Sequence, residues 1–251
     1  LPVSPLNLGA FDVIAEIKER SPSAGVLRTG QATRVDRALK YLHGGAAAIS
    51  VLTEPTRFDG DLSHLREVVA AVSGAGLPVM RKDFLIDMRQ ILEARAAGAS
   101  GVLLIVAMLS DAELADMLGC AFEHSLFVLL ESFDETDLGR ACRLLEMSRY
   151  ADRAASGHLL FGVNSRDLRS LEVDPGRLAG LAPMLPAGGV SVAESGLSDP
   201  QDAALVSSLG YRVALVGTAL MREGNPDTLI SEMLVAGRAA TTTRIRNAIT
   251  A

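Results

Sequence analysis

Short runs dominated by Val, Ile and Leu recur along the chain, each followed by a longer stretch with helical spacing. The runs fall at Asp12–Lys18, Ala46–Thr53, Pro78–Asp83, Gly101–Val106, Leu126–Glu131, Leu159–Asn164, Val190–Glu194 and Arg212–Val216. They are apolar at nearly every position rather than at alternate ones, as expected of parallel strands covered on both faces. Helix signals lie between them. Ser110 with Glu113 forms a capping box ahead of Leu114, Met117 and Leu118. Asp134 with Asp137 precedes Leu138, Ala141, Cys142 and Leu145. Ser198 is read as the cap of a helix with Pro200 in its first turn and Gln201 three residues after the cap. Met88, Ile91, Leu92 and Ala96 are read as one apolar face, ended by Gly98. Strand–helix alternation without a linker or charge block predicts a single (β/α)8-barrel (TIM barrel) domain over residues 1–251. An open doubly wound sheet is the runner-up, because periodicity does not reveal closure.

Composition narrows the function classes. Hydrophobic residues make up 49% of the 251, enough for a sizeable core. The longest apolar runs, such as Gly101 to Leu109, are too short to cross a bilayer, and no N-terminal secretory pattern is read. A net charge of −6 argues against a nucleic-acid partner, although a local pocket of cations and backbone N–H groups can still hold an anion. Aromatics at 4%, with no Trp, make a base-stacking platform improbable. Cys120 and Cys142 are read as reduced thiols in helices, which suits the cytoplasm and makes no zinc site. Neither a G-x-G-x-x-G nor a Walker loop occurs, so no nucleotide cofactor is signalled.

In a barrel of this kind the site lies at the C-terminal ends of the strands. Most of the strands here end in a functional side chain: Glu16 and Lys18; Lys82 and Asp83; Glu131; Asn164 with Arg166 and Asp167; Glu194 and Ser195; Gly217 and Thr218. Any one such charge is more often solvated or paired to a loop. Several at converging ends are harder to dismiss. Glu16 and Lys18 are two apart, so they face one side of their strand. They suit a general acid with a carboxylate partner or base, or equally an ion pair that orders the mouth. Gly196 and Gly217 after adjacent strands suit a phosphate site, and Ser21-Pro22-Ser23 with Gly25 could add donors or form an ordinary turn. His43, His64, His124 and His158 fall away from these ends, leaving no triad and no metal cluster.

Taken together, these strings resemble the indole-3-glycerol phosphate synthase family, from about Ile14 to Pro226. The carriers are Ala15-Glu16-Ile17-Lys18 with Ser21-Pro22-Ser23; Ile49-Ser50-Val51-Leu52-Thr53-Glu54 with Phe58-Asp59-Gly60; Arg81-Lys82-Asp83-Phe84; Val102-Leu103-Leu104-Ile105-Val106; Gly162-Val163-Asn164-Ser165-Arg166-Asp167-Leu168; Ala193-Glu194-Ser195-Gly196; and Val216-Gly217-Thr218-Ala219-Leu220-Met221. The resemblance implies a carboxy-lyase of tryptophan biosynthesis. It would close the indole ring of 1-(2-carboxyphenylamino)-1-deoxyribulose 5-phosphate without cofactor or metal. It implies that Lys82 is the general acid and Glu131 the second acid/base group. Glu16 and Asn164 would orient the reacting groups, and Lys18 would lie near the substrate carboxylate and phosphate. Arg166, Glu194 and Ser195 match further pocket residues; Ser21, Gly196, Gly217 and Thr218 match the phosphate cradle. Phe58 and Phe84 match apolar walls around the aromatic ring, joined by Leu104. Its partners would be the phosphorylated small molecule and other enzymes of the tryptophan pathway.

Departures from the family pattern are an N-terminus lacking most of the usual helical extension, Ala24 in place of a frequent loop lysine, Ser132 after Glu131, and Ser165 in place of a frequent Asn. The first two motivate an alternative, a secondary-pathway paralogue acting on a related aryl-amino sugar phosphate. A non-catalytic subunit of a pathway complex is a third reading, which would expect degraded catalytic positions.

Overall fold

The structure is a computed structural model that describes residues 2–22, 25–27, 32–167 and 170–250. Ser23, Ala24 and Leu168, singled out in the sequence, lie outside the described residues. Eight strands form the barrel: β1 (Asp12–Ile17), β2 (Ala48–Leu52), β3 (Val79–Lys82), β4 (Gly101–Ile105), β5 (Phe127–Ser132), β6 (Leu159–Asn164), β7 (Val190–Glu194) and β8 (Val213–Val216). Every neighbouring pair is parallel, and β1 closes the ring against β8. Closure answers what periodicity left open, and it leaves no sheet edge. The expected strand ends agree with the observed ones to within two residues.

Strand alternation sorts the apolar side chains into two layers. Ile14, Ala48, Met80, Leu103, Phe127, Leu129, Leu160, Val192 and Leu215 fill the barrel interior. Ala15, Ile49, Leu104, Val128 and Val163 face outward and pack with helix residues such as Leu65, Ile91, Leu118 and Ala203. Leu6 and Leu8 pack against the interior set from the segment that leads into β1. The site therefore rests on a filled barrel, not a pore.

Two helix readings need correction. The cap of the Pro200–Leu209 helix is Asp199, not Ser198; its carboxylate accepts from Gln201 and Asp202 N–H, with Asp202 completing the box. Pro200 at the first helical position, whose N–H is not needed there, fixes the start one residue later than read. In the Met88–Ala96 helix the buried residues are Ile91 and Ala94, while Met88 and Leu92 stay exposed. The capping box of Ser110 with Glu113 and the Asp134 cap are present as expected.

Candidate active site

The ends of the strands converge on one cavity of about 390 Å³. Its base is a layer of side chains from alternate strands, the arrangement a barrel imposes on its interior. The odd strands contribute Glu16 from β1, Lys82 from β3, Glu131 from β5 and Glu194 from β7. The even strands contribute Leu52, Ile105 and Asn164, with Gly217 just past β8. Three carboxylates and one ammonium thus meet at one level of the barrel.

They are held closely. The Lys82 ammonium donates to Glu131 Oε2 at 2.7 Å and to Glu194 Oε2 at 3.2 Å. Asn164 Nδ2 donates to the same Glu131 oxygen at 3.1 Å, and Asn164 Oδ1 accepts from the Arg166 N–H at 2.9 Å. Lys18 pairs with Glu16 at 2.6 Å. The Glu131 and Glu194 side chains are 2% and 1% exposed, whereas Lys82 keeps 16%, so the lysine is the most open member of this ion-paired group, and all three line the cavity.

Electrostatics follows from this packing. Burial works against the Lys82 charge, but Glu131, Glu194 and Glu16 outweigh it and hold the ammonium well above the usual lysine range. Burial pushes the Glu194 carboxyl well above the usual carboxylate range; Lys82 opposes the shift and the neighbouring Glu131 reinforces it. A protonated Glu194 relieves the repulsion that two buried carboxylates sharing one ammonium would carry.

Glycines make room for the cluster. A Cβ at Gly162 on β6 would collide with Glu194 Oε1, and one at Gly217 with Glu16 Oε1. Ser195 and Gly196 follow β7 with φ of 67° and 75°, turning the chain sharply at the rim. The Ser165 hydroxyl donates to the carbonyls of Glu194 and Ser195 at 3.1 and 3.0 Å and pins that turn. Gly196, Gly217 and Thr218 line the cavity with Ser21, Lys18 and Arg222. Phe58 and Phe84 line it from the loops after β2 and β3, and the Arg57 guanidinium lies 6.0 Å from the Phe84 ring centre.

Fourteen of the fifteen residues singled out in the sequence line this cavity. Leu104 does not. It faces the helices, because on β4 the inward positions are Leu103 and Ile105, and these two line the cavity instead. Leu52 and Leu215 complete the apolar lining from neighbouring strands. The same two-residue alternation, counted from the strand's last inward residue, could have found them. Arg57 and Arg222 were also missed, since loop cations carry no periodic signal. Arg222 is four residues after Thr218 on one short helix, which puts the two on one face. The four histidines lie outside the cavity lining, as expected.

Comparison with known proteins adds the following. A family profile described as Indole-3-glycerol phosphate synthase matches residues 7–233. The chain is 43% identical, over 92% of its length, to the indole-3-glycerol phosphate synthase of Paenarthrobacter aurescens, covering 79% of that protein. It is 44% identical to that of Micrococcus luteus, again over 92% of the chain and 79% of the relative. Among solved structures it is similar to 3-hexulose-6-phosphate synthase from Salmonella typhimurium, with a TM-score of 0.65, 14% identity, and coverage of 93% of this chain and 100% of that one. The Yersinia pestis dihydropteroate synthase matches with a TM-score of 0.61 at 16% identity, covering 96% of each chain. At such identities the structural likeness carries the fold alone.

Proposed function

The chain belongs to the indole-3-glycerol phosphate synthase family, and from that premise we infer how its barrel mouth closes the indole ring of 1-(2-carboxyphenylamino)-1-deoxyribulose 5-phosphate, with loss of carbon dioxide and water. The observation that carries the reading is the convergence of Lys82, Glu131, Glu194 and Asn164 within hydrogen-bonding distance at the base of the cavity.

The substrate's phosphate sits at Gly196, Gly217, Thr218 and Ser21, and its aromatic ring lies between Phe58 and Phe84. Holding both ends folds the flexible chain into a near-attack geometry. The ring carbon bearing the carboxylate then attacks the sugar carbonyl carbon. Negative charge grows on the carbonyl oxygen, and the Lys82 ammonium stabilises it and delivers the proton. Glu131 keeps Lys82 charged, Glu194 helps to aim it through a hydrogen bond, and Asn164 fixes Glu131 in turn. The cationic ring intermediate lies beside Glu16 and Glu131. Loss of carbon dioxide returns the electron pair to the ring. In the last stage the new hydroxyl leaves as water, with Glu131 as the group that exchanges the required protons. Lys18 neutralises the substrate's anionic groups and holds Glu16 in place.

Residence in the cytoplasm and association with other tryptophan-pathway enzymes follow from this reading. No helix among the described residues is long and apolar enough to cross a membrane.

Purified protein is expected to convert the arylamino deoxyribulose phosphate into a fluorescent indole product. An intact fold with no turnover overturns the reading.

A further inference from the structure

Phe58 and Phe84 reach the cavity from two different loops, and a buried polar cluster joins those loops. Asp83 Oδ1 accepts from the Phe84 N–H at 2.8 Å. Its other oxygen accepts from the Thr53 hydroxyl at 2.6 Å and from Arg81 Nη2 at 2.9 Å. Arg81 Nε donates to Thr53 Oγ1 at 3.0 Å, and Nη1 donates to the Gln90 carbonyl at 2.8 Å. The Arg81 and Asp83 side chains are only 8% and 9% exposed, and Thr53 is buried.

The loop that carries Phe58 is tied to the same place. Thr53 N–H donates to the Lys82 carbonyl at 3.1 Å, so the backbones of the two loops are joined where they leave β2 and β3. Glu54 caps the short helix Pro55–Phe58 through the N–H groups of Thr56 and Arg57. Gly60 then folds back, donating to the Glu54 carbonyl at 2.9 Å. A Cβ at Gly60 would stand 2.6 Å from the Thr53 carbonyl carbon, so only glycine lets the loop close on Thr53.

We propose that Thr53, Arg81 and Asp83 form a positioning triad that fixes the separation of Phe58 and Phe84, and so sets the affinity for the substrate's aromatic ring independently of its phosphate. This rests on the reading that the ring lies between those two walls. The planar guanidinium suits the task, because one fork reaches Thr53, Asp83 and Gln90 at fixed angles. Thr53 and Arg81 lie outside the cavity lining, and Asp83, at its edge, has both carboxylate oxygens engaged by Thr53, Arg81 and the Phe84 N–H. The triad acts through the two loops. The phosphate end of the cavity is built from the segments after β1, β7 and β8, away from the loops after β2 and β3, so the two affinities separate.

The test is Thr53→Val, which removes the bridging hydroxyl and keeps the shape. Thr53→Ala is a second, less crowded variant read in the same way. KM for the arylamino deoxyribulose phosphate should rise roughly tenfold, the scale of one lost hydrogen bond. The turnover number and the inhibition constant of inorganic phosphate should stay within about twofold to threefold of the parent, far inside the scatter of a lost contact. Thr53→Ser should restore KM. In a background that lacks both rings, Phe58→Ala with Phe84→Ala, Thr53→Val should add nothing further, since both paths to the ring are cut. An unchanged KM, a parallel weakening of phosphate inhibition, or effects that multiply in the background lacking both rings would each overturn the triad. A parent enzyme that fails to turn over the substrate would instead sink the functional reading on which the triad rests.

Discussion

At the residue scale, one carboxyl carries a pH signature. Glu194 is raised in the fold, first by burial and then by Glu131, against the pull of Lys82. A raised carboxyl contributes stability that is fully present below its ordinary value, and that is lost as pH rises through the raised folded value. Glu194→Gln removes this component and keeps the shape. Denaturant midpoints measured from about pH 5 to pH 9 should therefore fall less steeply for Glu194→Gln than for the parent. Equal slopes would mean that Glu194 is ionised throughout. Gly162 is the second point. Gly162→Ala drives a methyl into Glu194 and brings it within 3.1 Å of Leu129 Cδ1. Overpacking of this kind costs about 1–3 kcal/mol, and turnover should fall with it because Glu194 orients Lys82. A variant with parent-like stability and turnover would show that the cluster tolerates displacement.

At the scale of elements, the sequence reading succeeded where period and chemistry reinforce each other. Nearly continuous apolar runs placed β6 and β7 to the residue, because a strand buried on both faces lacks the alternating polar positions of a half-exposed one. It failed where two periods compete. In the Met88–Ala96 helix, Ile91 was read correctly, but Met88, Leu92 and Ala96 were placed on a buried face that Ala94 shares with it instead. On β4 the apolar run hid which residues point inward, so Leu104 was taken for Leu103 and Ile105. That distinction is measurable. Leu104→Ala should cost about 2–5 kcal/mol in a denaturation experiment and leave KM near the parent value. Leu103→Ala opens the cavity floor and should change KM. The cap correction is also testable: Asp199→Ala should cost about 1 kcal/mol, more than Ser198→Ala, because the carboxylate of Asp199 holds the first two helical N–H groups.

At the scale of the whole molecule, closure turns eight separate strand ends into one site. From the chain alone Lys82 was a cation at one strand end, more often a structural charge than a proton donor. The barrel brings Glu131 and Glu194 from distant positions to within 3.2 Å of it, and Asn164 buttresses Glu131 from the adjacent strand. Candidate residues were legible because they sit at the ends of recognisable strands. Their contacts were not, since these depend on how far each strand is staggered around the ring. The resemblance to known strings named roles for Lys82 and Glu131, while the pairing of Lys82 with Glu194 as well came only from the fold. Arg57 and Arg222 stayed hidden because residues beyond the strand ends carry no periodic signal.

The central claim is that the Lys82 ammonium, held by two buried glutamates, delivers the proton for ring closure. Its most direct test compares turnover and substrate affinity of Lys82→Ala with the parent, using the fluorescent indole product as readout. The account predicts a loss of turnover of roughly a thousandfold or more, with affinity changed only modestly, because the phosphate cradle and aromatic walls remain. Turnover within about tenfold of the parent would place the proton donor elsewhere and contradict the account.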